Sequence, residues 1–139
     1  MDQLNSWWRD TTGSRVTPSM YIDSFGETVY MVGISLFVGA LIGIPLALAL
    51  VITRPGGLKP NPIAYGVLNV LVNVVRSLPF IILLVAISPF TRVIAGTAIG
   101  TTAALVPLTL YIAPFIARLI EQSLLEVNPG ITEAADSMG

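Results

Sequence analysis

The chain has 139 residues, of which 54% are hydrophobic and only 11% are charged, and its formal net charge is −1. Soluble domains carry about 25% charged residues because they need a polar surface, so this composition argues against a soluble domain and indicates a membrane protein. Seven scattered Lys and Arg residues do not provide the basic surface of a nucleic-acid binder. The absence of Cys and His excludes a disulfide framework, a thiolate metal site and the commonest general base.

The N-terminal segment, residues 1–24, is predicted to be a polar tail, with Trp7 and Trp8 available to anchor it to one leaflet. The first span is predicted at about 27–53, around the charge-free stretch Val29–Ile52. A helix of this length reaches about 36 Å, enough to cross a hydrocarbon core of about 30 Å with some tilt.

A short loop follows the first span. Arg54 and the Pro-Gly-Gly that follows it are predicted to end the helix, and Asn61 is predicted to cap the next one, with Pro62 at its first position. The second span is predicted at about 62–90. Pro79 is expected to kink or break it, because proline removes a helix hydrogen bond.

The third span is predicted at about 93–118, and it contains Pro107 and Pro114. Prolines are tolerated in membrane helices where neighbouring groups satisfy the freed carbonyls. Four polar residues are expected to continue this helix out of the membrane into water: Arg118, Glu121, Gln122 and Glu126.

A further short helix is predicted at about 129–139, with Asn128 as its cap and Pro129 at its first position. Its apolar side chains recur at spacings of three and four, which is typical of an amphipathic helix. They are Ile131, Ala134, Ala135 and Met138.

The second span carries a polar stripe. Asn69, Asn73 and Arg76 share one helix face, and Arg76 is the one formal charge inside a predicted span. If Arg76 faces the interior, it is expected to pair with carbonyls freed at Pro79 or with either Asn; otherwise it lies near an interface and snorkels. The stripe can line a translocation path or hold helices together, and the sequence leaves both interpretations open.

Two spans also carry ridges of small residues spaced by four. Such ridges let another helix approach closely, so they predict packing contacts and no chemistry. The ridge of the first span consists of Ser35, Gly39, Gly43 and Ala47, and that of the third span consists of Gly96, Gly100 and Ala104.

Catalytic patterns are missing from the sequence. It has no Gly-rich phosphate loop with a Lys, no His ligand pair and no Ser/His/Asp set. The basic residues in the loops are balanced between the two sides of the predicted spans, so charge alone does not decide the orientation.

The C-terminal segment resembles a known family. Glu133, Ala134, Ala135 and Gly139, placed after the third span and an Asn-Pro-Gly turn, are similar to the EAA motif of ABC-importer permeases. The Arg-Ser-Leu-Pro-Phe segment at 76–80 and the segments at 107–109 and 113–118 also resemble this family. The resemblance extends from about residue 24 to the end, and it is greatest to permeases of methionine importers.

The resemblance implies an all-α integral membrane protein with three spans and a cytoplasmic coupling helix that carries the EAA residues. It implies a non-catalytic subunit that binds no cofactor itself, with ATP and Mg on a partner ABC ATPase. A second permease copy and an extracytoplasmic substrate-binding protein are the other implied partners, besides the lipid bilayer. The expected location is the inner membrane, with the N-terminus outside and Gly139 in the cytoplasm.

The family's motif continues beyond its Gly, so the resemblance also implies that this chain is part of a longer permease. Asn69, Asn73, Arg76 and Pro79 are the residues expected along the translocation path. Two alternatives remain open at this point. One is a permease for another small polar solute, and the other is a structural three-helix membrane protein that binds a cytosolic partner.

Overall fold

A computed structural model describes residues 1–127 and 129–139 of the chain. Within these ranges the protein is all-α, as predicted. Its helices, in chain order, are α1 (Asp2–Thr12), α2 (Pro18–Thr53), α3 (Pro62–Ser77), α4 (Phe80–Ala86), α5 (Ser88–Ala95), α6 (Thr101–Leu125) and α7 (Pro129–Ser137).

Two helices of the described residues, α2 and α6, are long and apolar enough to cross a membrane. The pair α3 and α4 qualifies as a third span if its 108° bend is counted as a break within one crossing. These helices indicate a multi-pass membrane protein.

The N-terminal region is more helical than the predicted polar tail. Helix α1 ends at Gly13, whose φ of 64° is the left-handed conformation that glycine adopts readily. Helix α2 then starts at Pro18, nine residues before the predicted start at 27. Asn5 ties the two helices together, since its Nδ2 donates a hydrogen bond of 2.8 Å to Oγ of Ser19.

Helices α2 and α6 pack against each other in parallel. A Cβ placed on Gly39 would collide with Ile112, and one placed on Gly43 would lie 2.7 Å from the carbonyl oxygen of Ala113 and 3.0 Å from Cβ of Ile116. The contact therefore advances in the same direction along both helices. Because two parallel helices need a connection that returns across the bundle, the segment between them must run the other way.

Helix α3 and the start of α4 provide this return. As the chain proceeds, its contacts on α6 move backwards: Asn69 and Asn73 contact Arg118, Arg76 contacts Phe115, and Phe80 contacts Tyr111. Helix α3 is therefore antiparallel to α6.

The start and end of α3 agree with the sequence predictions. Oδ1 of Asn61 accepts a hydrogen bond of 3.1 Å from the backbone N–H of Ala64, and Pro62 occupies the first turn. The helix ends at Ser77, and Pro79 separates it from α4 in an extended conformation with ψ of 136°. The predicted break at Pro79 is confirmed.

The predicted third span is wrong at its N-terminal end. The charge-free stretch from 93 is interrupted after Ala95, and α6 begins only at Thr101. Gly96 and Gly100 adopt φ of 75° and 112°, a region that favours glycine, so they form the connection between two helices. They are not part of a packing ridge, because a Cβ on either would meet nothing within 4 Å.

The four small residues of the first ridge lie on the buried face of α2: Ser35, Gly39, Gly43 and Ala47. Of the ridge predicted in the third span, only Ala104 lies in α6, where it is half-buried. The structure thus has a close helix contact at the first ridge, whereas the second ridge does not exist as a helix face.

The last helix, α7, is exposed along its whole described length. Its start at Pro129 agrees with the predicted start. The predicted cap, Asn128, lies outside the described residues.

Candidate functional site

Two helices of the bundle meet through a cluster of polar side chains, here called the polar cluster: Asn69, Asn73, Arg118 and Glu121. Arg118, on α6, donates from Nη2 to Oδ1 of Asn69 at 2.7 Å and to Oδ1 of Asn73 at 2.9 Å, both on α3. Its Nη1 forms an ion pair with Oε2 of Glu121, three residues further along α6. The guanidinium therefore bridges two helices that are antiparallel neighbours.

Local helix geometry aligns the members of the polar cluster. Asn69 and Asn73 lie one turn apart on α3, and Nδ2 of Asn73 donates to Oδ1 of Asn69 at 3.4 Å. Arg118 and Glu121 have the matching spacing of three on α6. The guanidinium of Arg118 therefore donates to three acceptors at once. Two are on α3, Asn69 and Asn73, and the third is Glu121 on its own helix.

Two charged side chains of the polar cluster are largely buried. The side chain of Glu121 is 3% exposed and that of Arg118 is 13% exposed. A buried charge is tolerated only when it is paired and hydrogen-bonded, and the cluster meets this condition for the guanidinium. The helix does continue through these positions to Leu125, as predicted, but the side chains of Arg118 and Glu121 are buried against the protein and do not face water.

Arg76 does not have the partners predicted for it. Asn69 and Asn73 are taken by Arg118, and Arg76 lies instead with its guanidinium carbon 5.9 Å from the ring centroid of Phe115. This is the geometry of a cation–π contact. Arg76, Phe115 and Tyr111 line a small cavity of about 120 Å³.

Pro79 lies at the break between α3 and α4, away from the polar cluster along the chain. Just beyond it, Phe80 packs edge-to-face on Tyr111, with ring centroids 5.4 Å apart. This pair holds the start of α4 against α6, since edge-to-face aromatic contacts add to the apolar burial of both rings.

A larger cavity, of about 250 Å³, lies between α4, α5 and the first two turns of α6. Its lining includes Leu84, Thr91, Gly100, Ala103 and Pro107. The lining is mainly apolar, with a few hydroxyl groups, and none of the residues predicted to bind a substrate lies there.

The predicted coupling residues Glu133, Ala134 and Ala135 are all exposed on α7, and Gly139 follows the helix with φ of 93°. Within α7 the hydroxyl of Ser137 donates to the carbonyl of Ala134 at 2.8 Å. The helix is thus formed in this chain, with its small residues accessible to a partner.

Sequence reasoning missed the pairing of Arg118 with Asn69 and Asn73. The available signal was that both helices carry polar pairs at helical spacing. Since Arg118 is separated from these residues by 45 and 49 positions, no local pattern connects them. In the described ranges no group of three or more His, Cys, Asp or Glu residues is arranged to hold a metal ion.

Comparison with known proteins places these features in a family. The D-methionine transport system permease protein MetI of Escherichia coli (strain K12) is 51% identical over 113 residues, which are 81% of this chain and 52% of that protein. The proteins of the same name from Salmonella typhi and Yersinia pestis have the same identity and coverage. No protein-family model matches the chain.

Solved structures agree with the sequence comparison. Two crystal forms described as inward-facing conformations of the MetNI methionine ABC transporter contain chains that match with TM-scores of 0.80 and 0.82. Both are 48% identical, and the match covers 88% of this chain and 57% of the other.

The chain spans about half the length of the curated relatives that it matches. Over that half, identity of about 50% is accompanied by the same helical fold. In both sequence and fold, the matched part of this chain belongs to the family of ABC-transporter permeases.

Proposed function

We propose that this chain is part of the membrane-spanning permease subunit of an ATP-driven ABC importer that carries methionine or a related amino acid. The observation that carries this proposal is the 51% identity, over 113 residues, to proteins named D-methionine transport system permeases. The permease does not hydrolyse ATP. ATP and Mg bind to a partner ATPase, as is expected for an importer whose subunits divide transport and hydrolysis between them.

Helix α7 is the proposed contact with that ATPase. It is short, exposed and separated from α6 by residues 126–128. The small side chains of Ala134 and Ala135 would let its backbone approach a groove closely, and Glu133 is available for a basic group there. Gly139, with its positive φ, allows the chain to turn immediately beyond the helix.

Arg76 is the residue proposed to face the translocation path. It is exposed on α3, its cation lies over Phe115, and a small cavity opens beside both. An ionisable residue within a span is expensive unless it faces protein or a watery path. Asn69 and Asn73 are assigned to the contact between helices, because their oxygens accept from Arg118.

The orientation and the remaining partners complete the proposal. The N-terminus lies outside the inner membrane and Gly139 in the cytoplasm, because a helix that docks on an ATPase must be on the side that holds ATP. A second permease copy completes the pore, and an extracytoplasmic binding protein delivers the substrate.

The test is uptake of methionine into proteoliposomes that contain the protein expressed from its complete reading frame together with its ATPase, with its substrate-binding protein added outside. We expect uptake of labelled methionine that requires ATP on the side of the membrane that holds the ATPase. An excess of unlabelled methionine should reduce this uptake. Vesicles without ATP are the control. ATP-dependent uptake of a different solute, with no competition by methionine, would contradict the substrate, and absence of any ATP-dependent uptake would support a structural membrane protein instead.

A further inference from the structure

We propose that the polar cluster (Asn69, Asn73, Arg118 and Glu121) transmits movement from α7 to α3, so that Arg118 and Glu121 act as positioning residues in transport. This inference rests on the proposed function, because it gives the cluster a task within a permease. It goes beyond that function, since none of the residues of the cluster contacts the ATPase or the substrate in the proposal.

The polar cluster makes α3 and α6 move as one unit. Separating the helices would leave Arg118 without its two acceptors on α3, in a place where its side chain is only 13% exposed. Arg118 would keep Glu121 but lose two hydrogen bonds from its charged group, so a state with the two helices apart is disfavoured.

The polar cluster lies near the end of α6 that leads to α7. Arg118 and Glu121 lie within the last two turns of the helix, about 10 Å and 6 Å from its end at Leu125 at a rise of about 1.5 Å per residue. Helix α7 begins at Pro129, only a few residues further. A displacement of α7 therefore enters α6 within about two turns of the cluster.

Helix α3 extends beyond the cluster towards the break at Pro79. Asn69 and Asn73 are followed on the same helix face by Arg76, and then by the break at Pro79. A movement passed to these two Asn residues is thus delivered to the arginine that we propose faces the path. Helix α3 with the cluster is thus an element whose position both α7 and the path can bias.

The experiment separates the contact between helices from the ion pair within α6. Asn69→Leu/Asn73→Leu removes the acceptors on α3 and keeps Arg118 next to Glu121. Asn73→Asp keeps an acceptor oxygen at the same position and is the conservative variant. Ser123→Ala is the matched control, because the Ser123 hydroxyl bonds only within its own helix, to the carbonyl of Leu119.

Two quantities are measured in proteoliposomes with the ATPase and the substrate-binding protein: methionine taken up and ATP hydrolysed. We expect the double Leu variant and Arg118→Gln to lower the ratio of methionine to ATP by about five-fold or more, the lower range of allosteric coupling. The KM for methionine and the rate of ATP hydrolysis are expected to stay within about two-fold. Asn73→Asp and Ser123→Ala should both keep the ratio of the unmodified protein.

A second measurement does not depend on transport. Thermal unfolding of the unmodified protein, Arg118→Gln, Asn73→Ala and the double variant forms a mutant cycle. We expect the two single shifts in Tm not to add, because either change removes the same hydrogen bond. Asn73 is exposed, so the Asn73→Ala variant should fold. It replaces the double Leu variant in the uptake assay if that variant does not fold.

Several results would overturn the inference. A normal methionine to ATP ratio in the Asn variants, with loss only in Arg118→Gln, would show a structural ion pair within α6. Additive shifts in Tm would show that the contact between helices is not made. A raised KM with normal coupling would place the Asn residues in the path. Failure of the unmodified protein to accumulate methionine would contradict the proposed function, and with it the transmission role.

Discussion

At the scale of single residues, two glycines, which lack a Cβ, allow α2 to approach α6 closely. Gly39 and Gly43 lie on the buried face of α2, and their Cα atoms face Ile112, Ala113 and Ile116 of α6. In a membrane the lipid is as apolar as the helix surface, so association depends on this close van der Waals contact.

Gly43→Ala is expected to destabilise the bundle by about 1–3 kcal/mol, because the added Cβ would meet the backbone oxygen of Ala113, which cannot rotate away. Gly33→Ala, in the same helix, is the matched control, since a Cβ there meets nothing within 4 Å. Thermal unfolding in detergent measures the difference. Equal stability of both variants would show that α2 and α6 are further apart than described.

A second residue-scale contact is that of Arg76 with Phe115. Phe115→Leu keeps an apolar side chain and removes the ring face, so we expect a loss of about 0.5–1 kcal/mol in stability. Arg76→Gln should cost a similar amount, and the double variant little more, because both remove one interaction. Unfolding midpoints of the three variants test this, and fully additive losses would contradict the contact.

At the scale of elements, the helix boundaries follow local chemistry. Asn61 caps α3 through its side chain, Pro62 fixes the first turn, and Gly96 ends α5 with a left-handed φ of 75°. Pro79 ends the run of helix hydrogen bonds in the second span, and the chain bends by 108° there. Each of these helix boundaries therefore depends on only a few neighbouring residues.

The cap of α3 gives a direct test of this local control. Asn61→Ala should cost about 0.5–2 kcal/mol, because the N–H of Ala64 loses its acceptor. Asn61→Asp keeps the acceptor and should retain most of the stability. If circular dichroism with thermal unfolding finds the two variants equally stable, the cap contributes nothing to the fold.

The exposed helix α7 supports a second element-scale prediction. Ala135→Trp places a bulky ring on the face proposed to dock on the ATPase, so recovery of the ATPase in a pull-down should fall by about ten-fold or more. Val93→Trp, at an 82% exposed position of α5 away from α7 along the chain, is the control for bulk alone. Undiminished recovery with Ala135→Trp, together with normal methionine uptake, would refute the docking role.

At the scale of the whole molecule, the topology follows from two contacts. Helix α2 runs parallel to α6, and α3 runs antiparallel to it. The chain therefore makes three passes along the bundle: with α2, back along α3, and again with α6. Two passes, back along α3 and forward along α6, separate the loop after α2 from the end of α6, so these two points lie on the same side.

A reporter that is active only in the periplasm tests this topology together with its orientation. Fusions after Leu58 and after Gly139 should both be inactive, and a fusion after Ile99 should be active, because only the last lies between the second and third crossings. Leu58 and Ile99 are 91% and 85% exposed, so neither site disturbs packing. Opposite signals at Leu58 and Gly139 would contradict three crossings, and activity at both would reverse the orientation.

The sequence by itself determined what depends on neighbouring residues. The charge-free stretches predicted an all-α membrane protein, and the Asn-Pro and Leu-Pro pairs predicted where α3 begins and where it breaks. The Asn-Pro-Gly turn and the amphipathic spacing after it predicted a short helix from Pro129, and α7 begins at that residue. Hydropathy and proline act locally along the chain, and for this reason they can be recognised without a fold.

Only the tertiary structure decided which polar groups meet. Arg118 is paired with residues 45 and 49 positions away, and its burial depends on α3 lying antiparallel to α6. Likewise, an uncharged stretch does not reveal that Gly96 and Gly100 adopt positive φ and interrupt the third span. Glycine permits both conformations, and the choice depends on how α5 and α6 pack. Packing decides which distant segments touch and which conformation a glycine adopts. Neither can be recognised from the order of residues alone.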